Sequence, residues 1–99
     1  MTTVQSERIK LQVTWRAQDV LENMGCNAEE LAERHASGDW GTISEQQRIS
    51  NCQSQISGGP ILSSYRLSNM AVIWIITSAD RNTTAVLTPS DSAVYRTLL

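Results

Sequence analysis

The chain has 99 residues, 40% hydrophobic and 18% charged, with eight Lys and Arg against ten Asp and Glu and a net charge of −2. That length excludes a second core, that composition excludes a disordered chain, and the slight acidity excludes a globally cationic nucleic-acid binder. The longest apolar run, Ala71 to Ile76, is far too short to span a bilayer, and Met1 to Lys10 has no apolar signal core, so a cytoplasmic location is expected.

Arg8 to Thr14 alternates, with Ile9, Leu11 and Val13 on one side and Arg8, Lys10 and Gln12 on the other. Period two marks a half-buried strand. Thr14 then caps a helix whose stripe is Ala17, Val20, Leu21 and Met24, and Gly25 stops it. Asn27 with Glu30 has the spacing of a capping box for a second helix, and Cys26 with Leu31 that of a hydrophobic staple. Leu31, His35, Ala28 and Ala32 share its inner face, and Gly38 ends it. Ser44 with Gln47 opens a third helix, in which Ile49, Cys52 and Ile56 recur at helical spacing and read as the core stripe. Glu45, Arg48 and Gln55 form its polar side, and Gly58-Gly59-Pro60 stops it.

The remainder is β-rich. Ile61 to Leu67 and Ala71 to Thr77 read as strands joined by a turn at Ser68 to Met70. The unbroken run Val72 to Ile76 predicts a central strand buried on both faces, with Trp74 in the core. Asp80 to Asn82 has turn chemistry, Thr83 to Thr88 reads as a further strand ended by Pro89, and Ser90 opens a short helix carrying Val94, Tyr95 and Leu98. The order β-α-α-α-β-β-β(-α) predicts one small α+β domain over 1–99, a mostly antiparallel sheet with helices on one face, and residues 1–7 and 93–99 as flexible ends.

Two segments, one with His35, Ser37, Gly38, Asp39, Trp40 and Gly41 and one with Trp74 to Thr77 and Asp80, Arg81, Thr84 and Pro89, carry a resemblance. Asn51 and the run from Gly58-Gly59 through Leu62-Ser63-Ser64-Tyr65-Arg66-Leu67 extend it. Together they resemble a family of small plasmid- and prophage-borne proteins of unknown function, labelled "plasmid-related protein" or "type I restriction endonuclease subunit M". Pro60, Ser78 and Ala85 depart from the pattern, at positions where arginine, glutamate and threonine are expected. The resemblance implies a mobile-element setting. The methyltransferase label does not fit, because no Gly-rich nucleotide loop follows a strand and no full α/β sheet fits this length.

Candidate chemistry is sparse. Cys26 and Cys52 lack zinc-site spacing and one histidine cannot complete a ligand set, so no metal and no cofactor are expected. The thiols read as reduced and half-buried, with a Cys26–Cys52 disulfide as the alternative that the sequence leaves open. His35 is the one side chain suited to acid–base work near neutral pH, with Asp39 placed to orient it and the serines beside Tyr65 within reach of the fold. The plainer reading has His35 capping carbonyls at a helix end. Asp39, Trp40, Asp80 and Arg81 are candidate partner-binding residues, Trp40 either anchoring a partner or lidding the core.

The leading expectation is a non-enzymatic accessory protein of a mobile element that binds another macromolecule, a host-defence component of the anti-CRISPR or anti-restriction kind. The first alternative is a toxin-like endoribonuclease using His35, Tyr65, Arg66 and Arg81. The second is a DNA-binding regulator reading with Gln46, Gln47, Arg48, Asn51 and Gln53 of the third helix. A protein partner is favoured over nucleic acid, no membrane is involved, and a homodimer is one way for so thin a core to gain cover.

Overall fold

A computed structural model describes the backbone of residues 2–5 and 10, and residues 11–68, 70–91 and 93 in full. The elements are β1 (Thr2–Gln5), β2 (Lys10–Val13), α1 (Trp15–Asn23), α2 (Ala28–Ala36), α3 (Glu45–Ser57), β3 (Ile61–Arg66), β4 (Val72–Thr77), β5 (Thr83–Leu87) and a 3-10 turn at Pro89–Asp91. The expected α+β order is present. The sequence pattern does not announce β1, which lies in the polar start and pairs antiparallel with β2. Arg8 and Ile9 of the first expected strand, and Val94, Tyr95 and Leu98 of the expected terminal helix, lie outside the described residues.

The sheet runs β1-β2-β5-β4-β3. Only β2 and β5 are parallel, because three helices and a hairpin separate them in the chain; the other pairs are antiparallel. The centre is therefore β5 rather than β4. Register puts Val13, Val86, Ile75 and Ser63 in one row across the sheet, and Leu11, Thr84, Thr77 and Ile61 in the next. Alternation sends both rows to the same face. Ala17 and Leu21 of α1 and Leu31 of α2 pack there in one cluster with Leu11, Val13, Tyr65, Ile73, Ile75 and Val86. A second cluster of Ile76, Ala85 and Leu87 lies on the alternate residues, and Trp74 packs half-buried against it rather than in the core.

The helix starts follow the caps. Thr14, Asn27 and Ser44 accept backbone N–H bonds from Ala17, from Glu29 and Glu30, and from Gln47. Cys26 does not staple α2: it is exposed, its thiol turned to the Met24 carbonyl. Both thiols are free, and only Cys52 is half-buried.

The larger correction concerns α3. Its buried residues are Asn51 and Ser54, while Ile49 is 47% and Ile56 89% exposed. The helix packs beside β3, the last strand of the sheet, where free backbone groups need polar partners. Asn51 meets that need. Its amide donates to the Leu62 carbonyl at 2.8 Å and accepts from the Leu62 N–H at 3.1 Å, while Gln47 donates to it at 3.0 Å. Next along the same edge, the Ser64 N–H donates to the Trp40 carbonyl at 3.1 Å and the Ser64 carbonyl accepts from Thr42 at 2.7 Å. Gly41 bridges there with positive φ, and a Cβ on it would sit 2.1 Å from the Ser64 oxygen.

Candidate functional site

His35 lies one turn after Leu31, so α2 carries it inward over the sheet. Its Nδ1 is 2.5 Å from Ser63 Oγ and its Nε2 2.8 Å from Thr77 Oγ1, which is in turn 2.9 Å from Thr84 Oγ1. The ring therefore ties β3 to β4 and, through Thr77, to β5, and it does not cap the helix end. The serine expected near it is there; Asp39 is not. Burial lowers the His35 pKa to about 4, so the ring is neutral near pH 7. Either neutral tautomer gives each ring nitrogen a hydroxyl partner, because serine and threonine hydroxyls both donate and accept.

This arrangement favours structure over acid–base chemistry. Ser63 has no exposed surface, the group behind the ring is a threonine rather than a carboxylate, and a pKa of about 4 makes a weak base at neutral pH. Beside the ring is a cavity of about 450 Å³ between α2 and α3. Its floor is His35, Thr77 and Thr84; Ala32, Ala36, Leu11 and Ile61 supply carbon walls, and Glu29, Glu33, Gln55 and Arg81 also line it. The two small alanines of α2 leave this space open.

The other endoribonuclease candidates are not gathered around His35. The Tyr65 hydroxyl donates to the Asp39 carbonyl at 2.7 Å, and the Arg34 guanidinium lies 4.7 Å over its ring. Arg66 is exposed at the far end of β3, paired with Val72, whereas Arg81 follows Thr77 at the near end. Five strand steps separate those ends, about 16 Å. The Arg81 guanidinium donates to the carbonyls of Gly59, Ser78 and Ser54, at 2.5, 3.1 and 2.8 Å, which caps the end of α3.

The expected partner-binding residues divide between two places. Trp40 is buried and lids the core, and Asp39 is exposed and paired with Arg34 at 2.7 Å. The Arg34 guanidinium bonded to Asp39 holds that carboxyl below its usual range. Asp80 bonds within its own turn, to the Ser78 hydroxyl and the Asn82 N–H. Of the DNA-reading set, Asn51 is buried and Gln47 is bonded to it, which leaves Gln46, Arg48 and Gln53 exposed.

What the sequence reading missed is the outer face of α3. Ile49, Cys52 and Ile56 form an apolar stripe on the side opposite Gln47, Asn51 and Ser54. Glu45 stands at its start with its carboxylate holding the Arg48 guanidinium, which also reaches the Cys52 thiol at 3.9 Å. Among the described residues no group of three or more His, Cys, Asp or Glu is arranged to hold a metal ion, and no helix is long and apolar enough to cross a membrane.

Comparison of the chain with protein-family models, with curated proteins and with solved structures found no match.

Proposed function

We propose that the chain is a non-enzymatic interaction protein that works by binding another protein chain through the outer face of α3. One observation carries this reading: the helix buries Asn51 and Ser54 while its two isoleucines, Ile49 and Ile56, are exposed. Contiguous apolar surface rimmed by polar residues is what a protein interface presents. The narrower form of the proposal takes its setting from the sequence resemblance and makes the chain a mobile-element accessory protein that binds a host-defence component. His35, held neutral between hydroxyls, fits a scaffold better than a catalyst.

The test uses immobilised wild-type chain and the Ile49→Glu/Ile56→Glu variant, matched by circular dichroism and melting curve. A defined protein retained by the first and released by the second supports the reading. Equal retention by both overturns it, as does catalytic cleavage of RNA or DNA by the purified chain that His35→Ala abolishes.

A further inference from the structure

Binding through the outer face of α3 makes no use of the cavity beside His35, whose lining includes neither Ile49 nor Ile56. Protein interiors hold few voids larger than a water molecule, yet this one measures about 450 Å³, within the roughly 300–1,000 Å³ of small-molecule pockets. Its floor is one row of the sheet. Leu11, Thr84, Thr77 and Ile61 lie side by side on β2, β5, β4 and β3, so two carbon side chains flank two hydroxyls.

Those hydroxyls are deeply set, Thr77 at 6% and Thr84 at 5% exposure. They end a chain of hydrogen bonds that runs through Ser63, His35, Thr77 and Thr84. With the ring proton on Nε2, His35 donates to Thr77, Thr77 donates to Thr84, and the Thr84 O–H is left over. With the proton on Nδ1 the chain runs the other way, and Thr84 keeps its lone pairs. Thr77 is the one side-chain partner of the Thr84 hydroxyl among the described residues. The inner end of the cavity therefore offers a donor or an acceptor, and no charge.

Charge stands at the exposed rim instead. Glu29 and Glu33 follow each other by one turn on the same side of α2 as Ala32 and Ala36. Like charges at that spacing repel each other. Among the described residues neither carboxylate is in an ion pair, and Arg34 of the same helix is held by Asp39. Arg81 is the basic residue of the lining, and its guanidinium is occupied by the carbonyls of Gly59, Ser78 and Ser54. The uncompensated charge around the cavity is thus negative.

We infer that this cavity binds a small amphipathic amine. Its carbon body lies between Ala32, Leu11 and Ile61, a neutral hydrogen-bonding group meets Thr84 on the floor, and its ammonium sits between Glu29 and Glu33 at the rim. The buried hydroxyl and the paired carboxylates are separate features of one cavity, and a ligand of this kind satisfies both.

Tryptamine, 3-ethylindole and 3-indolepropionate test the assignment, because they share an indole body with one N–H and carry an ammonium, no charge and a carboxylate. Calorimetric titration of the full chain at pH 7.5 should rank tryptamine tightest, with a dissociation constant at or below about 1 mM. Glu29→Gln/Glu33→Gln should weaken tryptamine about five- to tenfold and leave 3-ethylindole unchanged. Ala32→Leu fills the cavity from α2 and should abolish binding of both. Amide shifts during titration of the wild-type chain should centre on Ala32, His35 and Thr84, which locates the site without any variant. No binding of any probe at about 5 mM overturns the proposal. So does tightest binding of the carboxylate, indifference of tryptamine to the Glu29/Glu33 change, or a shift pattern centred elsewhere.

Discussion

Acidification should destabilise this domain through His35 before the carboxylates titrate. The imidazole has a pKa of about 4 in the fold and 6.5 as its reference value, because the folded ring is buried away from water. The folded value is the lower one, so as pH falls the unfolded chain takes up the proton first and unfolding is favoured. The stability term is intact above pH 6.5, declines between 6.5 and about 4, and is fully lost below. A shift of about 2.5 units at 1.36 kcal/mol each is about 3 kcal/mol, a large part of the roughly 5–15 kcal/mol of a typical domain. Protonation removes no hydrogen bond by itself, since Ser63 and Thr77 can both accept; the cost is that of a buried charge. Urea unfolding from pH 7.5 to 4.5, on the chain and on His35→Gln, isolates the term. Asp91 titrates in both: burial raises its pKa, but bonds from Thr88, Thr14 and Arg16 outweigh that and hold it low. Parallel stability curves for the two chains, or an NMR titration of the ring centred near 6.5, would refute the reasoning.

The edge of β3 supplies two further expectations. Asn51→Leu leaves the N–H and C=O of the half-buried Leu62 without their partner; a fully buried group costs about 1–3 kcal/mol, so a loss of about 1–3 kcal/mol for the pair is expected by urea unfolding at pH 7.5. An unchanged midpoint would mean that the Asn51 contacts contribute nothing. Gly41→Ala should cost more than Gly38→Ala, although both glycines have positive φ. A Cβ at Gly38 meets open space and costs about 1–2 kcal/mol of backbone strain, whereas one at Gly41 must also push Ser64 away. Melting temperatures in the reverse order would contradict the Trp40–Thr42 bridge to β3.

Elements set by local chemistry were legible in the sequence. Ser, Thr and Asn at the three helix starts, Gly38 after α2 and the alternation around Leu11 and Val13 follow from rules that act within a few residues. The partners of His35 were less legible, since Ser63, Thr77 and Thr84 come from three strands and meet only through sheet register. Trp74 was misplaced because an unbroken apolar run does not say which of its residues face the larger cluster. β1 was missed because its residues include no apolar alternation that separates a strand from a polar tail.

The inversion of α3 has a physical cause that periodicity cannot show. A helix that packs on the face of a sheet meets side chains, and its inner stripe must be apolar. A helix that packs on the edge meets backbone, and its inner stripe must offer donors and acceptors. Leu62 and Ser64 turn their N–H and C=O groups outward along β3; Asn51 takes the first pair and the Trp40–Thr42 segment takes the second. With Asn51 committed inward, the angle of every other residue on the helix follows, and Ile49 and Ile56 have to point away. The hydrophobic period of α3 is real, but it marks the side that the chain's own sheet does not need. The constraint that guards the sheet edge is thus also the one that leaves Ile49 and Ile56 exposed.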